Sequence, residues 1–383
     1  MIPYGRQDIT SEDIDAVVGV LQSDFLTQGP QVPHFENKLI TYTGVKHAIA
    51  VNSATSALHI SCLALGLGPG DYLWTTPITF AASANCALYC GARVDFVDID
   101  PDTGNICVLA LEKKLLLAEK TGTLPKIVMP VHLAGRPCEM RTIHALGKRF
   151  GFSVIEDASH AVGAQYMNTS VGDCRYSDIT IFSFHPVKII TTAEGGAALT
   201  NSGKLAERLR LLRSHGITRD PKQMEEIPQG DWYYEQITLG FNYRMNDIQA
   251  ALGSSQIERL DSYINRRRDI AKNYDILLKS LPISLFEYAD NSSYHLYTVR
   301  IDDKFSQTNR NEVFKRMRQH GVGVNVHYIP VHFHPYYRKL GFKSGDFPAA
   351  EKYYLEAMTL PIYPKLKDHE LQFIASRLAS ALS

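Results

Sequence analysis

This sequence has no excess of positive or negative charge. Lysine plus arginine and aspartate plus glutamate both number 40, so the formal net charge is +0. Proteins are drawn to nucleic acids and to anionic membranes by an excess of positive charge. We therefore expect no nucleic acid and no membrane partner, and any anionic ligand has to be held by local groups.

Long apolar runs are missing as well. No stretch approaches the roughly 20 apolar residues that a membrane-spanning helix needs. The first residues, Met1–Arg6, lack the basic segment and apolar core of a secretion signal. We expect a cytoplasmic protein.

Cysteine is scarce and scattered. The sequence has no Cys-x-x-Cys pair and no histidine cluster at zinc-like spacing. We therefore expect reduced, structural thiols and no metal site. The six cysteines are Cys62, Cys86, Cys90, Cys107, Cys138 and Cys174.

Internal repeats and low-complexity tracts are also absent, whereas apolar residues are plentiful. The chain has 383 residues, of which 45% are hydrophobic, and this excludes a disordered protein. Such a length exceeds that of one typical domain. We predict a large ligand-binding α/β domain over residues 1–250, including an N-terminal substrate segment, and a small α+β domain over residues 251–383.

Short β-rich runs alternate with helical patterns between Lys46 and Asn201. This alternation is typical of βαβ units, and it predicts an α/β fold with a mostly parallel seven-stranded sheet between helices. The polar segment Thr218–Trp232 predicts a mobile loop. The predicted strands are Ala48–Asn52, Tyr72–Thr76, Arg93–Val97, Lys126–Val131, Ser153–Asp157, Ile179–Ser183 and Gly196–Thr200.

The pattern changes near Asn246. From there to Ile270 apolar residues recur at nearly helical spacing, which predicts a long connecting helix. Beyond it we predict a strand over Leu296–Ile301, a helix ended by Gly321 and a strand over Val322–Ile329. These elements would form the small domain.

A lysine and an aspartate stand where ligands of α/β proteins bind, at the carboxyl ends of strands. Lys188 follows the run that ends at Ser183, and Asp157 ends the apolar run from Val154. A pyridoxal ring needs a Schiff-base lysine and a buried carboxylate that keeps its ring nitrogen protonated. Alternatively, Lys188 is a surface lysine and Asp157 caps the segment after it.

The cofactor's phosphate and ring need other groups. The segment Asn52–Leu58 supplies small and hydroxyl residues between a strand and a helix, where backbone N–H groups bind anions. Ser183 offers another hydroxyl, and Phe80 offers an apolar face for the ring. The simpler interpretations are helix caps for the hydroxyl residues and a core position for Phe80.

These segments, in this order, resemble the sugar-nucleotide aminotransferases of the DegT/DnrJ/EryC1/StrS family, which have fold type I of the pyridoxal-phosphate-dependent transferases. The resemblance covers nearly the whole chain. The segments that carry it are Phe25–Pro30, Asn52–Leu58, Pro77–Asn85, Pro130–His132, Glu156–His160, Ser183–Gly196, Asn242–Met245 and Leu360–Pro364.

The resemblance implies pyridoxal 5′-phosphate as cofactor and a homodimer with shared active sites. It makes Lys188 the Schiff-base lysine, Asp157 the partner of the pyridine nitrogen and His160 a third catalytic residue on the substrate side of the ring. The cofactor would also contact Ala54, Thr55, Ser56, Phe80, Ser183 and, from the other subunit, Asn242. The substrate candidates are Tyr4, Arg6, Thr27, Gly29, His185, Arg213, His327 and Tyr328.

Within the family, Asn52–Leu58, Ser183–Lys188 and Gly323–Pro330 resemble the subgroup that acts in pseudaminic acid biosynthesis. That subgroup aminates C4 of UDP-4-keto-6-deoxy-N-acetyl-L-altrosamine. Glutamate would be the amino donor, and the pyridoxamine form of the cofactor would be the intermediate. Two departures stand after the lysine: Ile189 in place of the expected proline, and Ala193 where many relatives have glycine.

Three alternatives remain at this point. The substrate can be another 4-keto-6-deoxy sugar nucleotide, of the D-series, used for lipopolysaccharide. Dehydratase relatives replace the Schiff-base lysine with histidine, whereas this chain keeps Lys188. Regulators of this fold that bind the cofactor without catalysis usually carry an added DNA-binding segment, and none precedes residue 30.

Overall fold

The structure is a computed structural model that describes residues 1–302 and 308–383. Most of its strands lie in the first two hundred residues. The strands are β1 (His47–Val51), β2 (Tyr72–Thr75), β3 (Arg93–Phe96), β4 (Ile127–Val128), β5 (Ser153–Asp157), β6 (Gln165–Tyr166), β7 (Thr169–Ser170), β8 (Ile179–Ser183), β9 (Gly196–Thr200), β10 (Ile217–Thr218), β11 (Glu235–Gln236), β12 (Ser284–Leu285), β13 (Tyr297–Arg300) and β14 (Ala357–Leu360).

Helices separate the strands. The α-helices are α1 (Ser11–Leu21), α2 (Gln31–Thr43), α3 (Ala54–Ala64), α4 (Ala82–Tyr89), α5 (Val108–Thr121), α6 (Met140–Phe150), α7 (Gly203–Arg213), α8 (Asp247–Gln256), α9 (Leu260–Leu278), α10 (Arg310–Gln319), α11 (Pro335–Arg338), α12 (Pro348–Glu356) and α13 (Asp368–Leu382). Short 3₁₀ turns lie at Leu133–Gly135, Ile257–Arg259 and Val331–Phe333.

The large sheet has seven strands in the order β1-β9-β8-β5-β4-β2-β3. Neighbours from β8 to β3 run parallel, whereas β9 runs antiparallel to β8 and β1 antiparallel to β9. The predicted mostly parallel seven-stranded sheet is therefore confirmed, and each predicted strand overlaps one of its members. Asp157 pairs with Ile181 in the register, so the carboxyl ends of β5 and β8 lie side by side.

Both faces of this sheet are buried. Ile181 on β8 packs into one apolar cluster, whereas Phe182, the next residue, packs into another. Successive strand residues point to opposite faces, so helices cover both sides of the sheet. All six cysteines are free, and five of them are buried.

A separate core lies toward the C-terminus. Ile270, Val299, Met317 and Leu378 pack together around the three-stranded sheet β12-β13-β14, and Ile2 from the N-terminus packs against them. The predicted boundary near residue 250 stays a prediction. None of the helices in the described ranges combines the length and the hydropathy needed to cross a membrane.

Two predictions of secondary structure were wrong in detail. The segment Val322–Ile329 is not a continuous strand: Val322 bridges Ile2, and Asn325 bridges Thr359. The segment changes partner within four residues and then turns toward the large sheet. The predicted connecting helix is interrupted by the 3₁₀ turn Ile257–Arg259, so α8 and α9 are separate helices.

Candidate active site

A cavity of about 580 Å³ opens at the carboxyl ends of β5 and β8. Its walls come from the large sheet, from the start of α3, from the N-terminal segment and from residues 325–328. The predicted site residues that line it are Tyr4, Ala54, Thr55, Phe80, Asp157, His160, Ser183, His185, Lys188, His327 and Tyr328. The tertiary structure thus gathers residues that are far apart in the sequence.

The carboxylate of Asp157 is buried and held from two sides. Its Oδ2 accepts a hydrogen bond from the Ser83 hydroxyl at 2.6 Å, and its Oδ1 accepts one from the Ser159 N–H at 3.1 Å. Only 4% of the residue is exposed, at the end of β5. The carboxylate is therefore oriented before any ligand arrives, with free acceptor directions toward the cavity.

Lys188 lies in the loop between β8 and β9. The loop is closed by hydrogen bonds from the Thr192 N–H and the Thr191 hydroxyl to the Phe184 carbonyl. Burial lowers the pKa of Lys188 to about 8, although the nearby Asp157 raises it. Roughly a tenth of the amines are then neutral at pH 7, and a neutral amine is what attacks a carbonyl.

Ala193, in the same loop, has a left-handed backbone with φ of 64°. A side chain with a Cβ is strained in this conformation, and glycine is not. We expect Ala193→Gly to raise the free energy of unfolding by about 0.5–1 kcal/mol, because the relief of strain exceeds the added entropy of the unfolded chain. Urea denaturation of the cofactor-free protein measures this change.

The matched control is Ala118→Gly in the interior of α5, which should lower the free energy of unfolding by roughly 0.5–1 kcal/mol. A loss of stability in Ala193→Gly equal to that of the control would contradict the strain at this position.

The start of α3 forms the anion-binding end of the cavity. Ser53 caps the helix by accepting the N–H of Ser56 at 3.1 Å. Gly196 on β9 packs so close that a Cβ there would lie 2.5 Å from the Ala54 nitrogen. The positive end of the helix, with Ala54 and Thr55, is therefore open to an anionic group.

Phe80 presents an apolar face to the cavity. Its side chain is 63% exposed, and its ring centroid lies 6.4 Å from that of Tyr328. An exposed phenylalanine at the edge of a cavity is suited to stacking on a planar ring.

The opposite wall carries neutral hydrogen-bonding groups. His160 Nδ1 accepts the Ala134 N–H at 3.3 Å, so its proton resides on Nε2, which lies 3.0 Å from the Tyr328 hydroxyl oxygen. Burial, assisted by Lys188, lowers the pKa of His160 well below its usual value and that of His327 to about 4. Burial raises the pKa of Tyr328, so its hydroxyl keeps the proton.

Several cavity residues were not among the predicted site residues. His295 is buried, lines the cavity and places its ring centroid 4.4 Å from that of His160. The Ser83 hydroxyl contacts Asp157, and the Thr79 hydroxyl oxygen lies 2.8 Å from that of Ser83. A helical serine and a histidine beside a strand are ordinary in a sequence, and only the distance to Asp157 and His160 makes them notable.

Six predicted residues do not line this cavity. They are Arg6, Thr27, Gly29, Ser56, Arg213 and Asn242. The Arg213 guanidinium instead donates to Glu36 Oε1 at 2.6 Å and to the Ala50 carbonyl at 2.9 Å. The Ser56 hydroxyl donates to Asn52 Oδ1 at 2.7 Å. Their ligand contacts stay predictions.

The residues present fit pyridoxal 5′-phosphate. Lys188 would hold its aldehyde carbon, Asp157 its ring nitrogen and Phe80 its ring face, while the start of α3 would hold its phosphate. The close approach of Gly196 to Ala54 keeps that helix end free of side chains, and small residues are what a backbone-bound phosphate requires.

Known proteins are similar to this chain in sequence and in fold. The DegT/DnrJ/EryC1/StrS aminotransferase family model matches residues 7–379. A Campylobacter jejuni protein named UDP-4-amino-4,6-dideoxy-N-acetyl-beta-L-altrosamine transaminase is 39% identical over 387 residues, covering 100% of this chain and 98% of its own length. The spore coat polysaccharide biosynthesis protein SpsC of Bacillus subtilis is 38% identical and covers 97% of this chain and 94% of its own.

Solved structures of aminotransferases have a fold similar to that of this chain. Helicobacter pylori PseC, an aminotransferase involved in the biosynthesis of pseudoaminic acid, has a TM-score of 0.90 at 34% identity, covering 100% of this chain and 99% of its own. The sugar aminotransferase Spr1654 of Streptococcus pneumoniae, solved in its PLP-form, has a TM-score of 0.88 at 30% identity, covering 99% and 98%. These relatives indicate dependence on pyridoxal phosphate and fold type I. The chain belongs to the DegT/DnrJ/EryC1/StrS aminotransferase family and is a sugar aminotransferase.

Proposed function

We propose that this enzyme transfers an amino group from L-glutamate to C4 of a UDP-linked 4-keto-6-deoxy-N-acetyl hexosamine of the L-altro series, as in pseudaminic acid biosynthesis. The observation that carries the proposal is the cavity that brings Lys188, Asp157 and Phe80 together opposite a wall of neutral polar groups. The names of the Campylobacter and Helicobacter relatives support this choice of sugar.

Bound pyridoxal phosphate supplies an electron sink that makes the hydrogen next to the amino group acidic. Lys188 Nζ, whose pKa is lowered to about 8, removes that proton from the donor and returns one to C4 of the sugar. Asp157 holds the proton on the pyridine nitrogen. Lys188 is held by its loop, and Asp157 is held at the end of β5 by the hydrogen bonds from Ser83 and Ser159, before a substrate binds.

The opposite wall suits a sugar. His160, His327 and Tyr328 offer neutral donors and acceptors, which match hydroxyl, acetamido and ketone groups without favouring a charge. The diphosphate needs cationic or helix-end partners, and Arg6 and Arg213 lie outside the cavity of one chain. We propose that a second copy completes the site.

Exposed apolar side chains support such a homodimer. Ile227 is 86% exposed, Trp232 72% and Leu239 77%, all on the segment between β10 and α8. Large apolar residues clustered on one exposed segment are typical of an interaction surface. Asn242, which we propose to reach the partner's phosphate site, lies on the same segment, before α8 begins at Asp247.

The test is an absorbance titration of the pyridoxamine-loaded enzyme against UDP- and dTDP-linked 4-keto-6-deoxy sugars of the L-altro and D-gluco series. We expect the visible cofactor band to return only with the L-altro UDP sugar. UDP-N-acetylglucosamine, which has no ketone, is the control ligand and should leave the spectrum unchanged.

Return of the band with a D-series sugar would support the aminotransferase activity and refute the assignment to pseudaminic acid biosynthesis. Binding of every sugar without any return of the band would contradict catalysis and favour a regulator. Glutamate, glutamine and aspartate are then added in turn to the pyridoxal form. The amino donor is the one that regenerates the pyridoxamine form and removes the visible band.

A further inference from the structure

Ser83 and Thr79 lie beside the Asp157 carboxylate at the edge of the cavity, and neither is among the predicted site residues. Ser83 is 1% exposed and Thr79 is 3% exposed. The Ser83 oxygen lies 2.6 Å from Asp157 Oδ2 and 2.8 Å from the Thr79 hydroxyl oxygen. The three side chains therefore form one buried line of hydrogen bonds that ends at the cavity.

The direction of this line follows from chemistry. An ionised carboxylate only accepts hydrogen bonds, so the Ser83 hydroxyl donates to Asp157. Having used its one proton, Ser83 has to accept from Thr79. Each hydroxyl in the line thus points its donor toward the next oxygen, and the last donor is aimed at the carboxylate.

The same short segment also places the ring-stacking residue. The Ser83 N–H donates to the Phe80 carbonyl at 3.2 Å, and Thr79 directly precedes Phe80. Ser83 therefore contacts the backbone of Phe80 through its own N–H, and the carboxylate of Asp157 through its hydroxyl. One serine connects the group that stacks on a ring with the group that faces the ring's nitrogen.

We propose that Ser83, supported by Thr79, is a positioning residue that holds Asp157 Oδ2 against the pyridine nitrogen and keeps the carboxylate in register with Phe80. The inference rests on the proposed use of the site by pyridoxal phosphate. It concerns how firmly the ring nitrogen keeps its proton, and it is independent of which sugar is bound.

The test compares Ser83→Ala with Ser83→Thr and with the matched control Ser61→Ala. Ser61 is a buried serine on the neighbouring α3, and its hydroxyl has no hydrogen-bond partner among the described residues. Ser83→Thr keeps a hydroxyl on the same Cβ. Thr79→Val, which removes the second hydroxyl of the line, is the supporting variant.

In Ser83→Ala we expect a loss of about 10- to 100-fold in kcat, which is the usual effect of losing a hydrogen bond to a charged group. The KM for the sugar should stay within about twofold, since the residue does not line the substrate wall. Thr79→Val should show a smaller loss in the same direction.

The pH titration of the cofactor's visible band gives a readout that a purely structural role would not move. When Asp157 is no longer kept in position against the ring nitrogen, that nitrogen binds its proton less firmly and the ring carries less positive charge. The Schiff base then keeps its own proton to higher pH. The midpoint of the titration should rise by about one pH unit in Ser83→Ala. It should return toward the wild-type value in Ser83→Thr and stay unchanged in Ser61→Ala.

A Ser83→Ala enzyme with the wild-type midpoint and kcat would overturn the proposal, as would an equal shift in Ser61→Ala. A wild-type enzyme that shows no cofactor band overturns both this inference and the proposed function. A wild-type enzyme that shows the band but aminates another sugar refutes only the pathway, because the midpoint is measured without any sugar.

Discussion

The Lys188→Ala enzyme should show no visible band from covalently bound cofactor and should lose turnover by at least about 10⁴-fold, the upper end of what a positioned general base contributes. Two roles disappear together. By the proposed scheme, the chain loses the amine that attaches the cofactor and the base that moves the proton between the donor carbon and the sugar. No other lysine lines the cavity in the part of the chain that the structure describes, so none takes its place.

Absorbance spectra and single-turnover kinetics measure the two losses separately. Lys339→Ala removes an exposed lysine that does not line the cavity and should leave both unchanged. Circular dichroism checks that the Lys188 variant is folded. A folded Lys188→Ala enzyme that keeps wild-type turnover would refute the assignment of this lysine and the reaction scheme with it.

Mixed dimers extend this experiment to the proposed shared site. Lys188→Ala chains combined with Asn242→Ala chains should recover part of the activity, since one of the two sites in each mixed dimer would then contain both native residues. Recovery is expected only where the partner supplies Asn242. Mixtures that stay as inactive as either parent would argue that each chain builds its own site.

Asp157→Asn should lower kcat by about 10³-fold. A carboxylate and a cation whose charges are about 4 Å apart attract each other by about 4 kcal/mol at an effective dielectric constant near 20, and this energy corresponds to roughly three powers of ten in rate. Asparagine keeps the shape of the side chain and one acceptor for Ser83 or Ser159. The change therefore removes the charge and leaves the packing of β5 nearly intact.

The matched control is Asp178→Asn. The Asp178 carboxylate accepts the Val154 N–H at 2.8 Å at the other end of the sheet, a bond that an amide oxygen also makes. Its kcat should be that of the wild type. If Asp157→Asn lowered kcat no more than the control does, the pairing of Asp157 with the ring nitrogen would have to be abandoned.

The succession of strands along the chain and the location of Asp157 and Lys188 near strand ends could be predicted from the sequence. Alternation of β-rich and helical runs is a local property, and so is the place of Asp157 and Lys188 after their strands. Because the carboxyl ends of neighbouring parallel strands meet at one edge, these local features predict a common site. Phe80 and the start of α3 follow from the same reasoning.

Other parts of the site depend on contacts between distant residues. The Ser83–Asp157 hydrogen bond joins residues 74 positions apart, and the Tyr328–His160 hydrogen bond joins residues 168 apart. Contacts between residues so far apart leave no local pattern in the sequence. His295 and Ser83 were therefore not predicted as site residues. The sequence predicts Arg213 as a substrate-binding residue, whereas in the fold its guanidinium donates a hydrogen bond to Glu36.

The sequence by itself therefore determined the fold class and the family, and it pointed to Lys188 and Asp157 as the proposed reactive pair, because each rests on short segments of sequence. The tertiary structure alone decided which hydroxyl orients Asp157 and which histidines are buried and neutral. It also decided that Val322–Ile329 is not a continuous strand and that residues 325–328 line the cavity. Burial and hydrogen-bond partners are set by the whole chain's packing, and they tune the chemistry of residues that the sequence can only name.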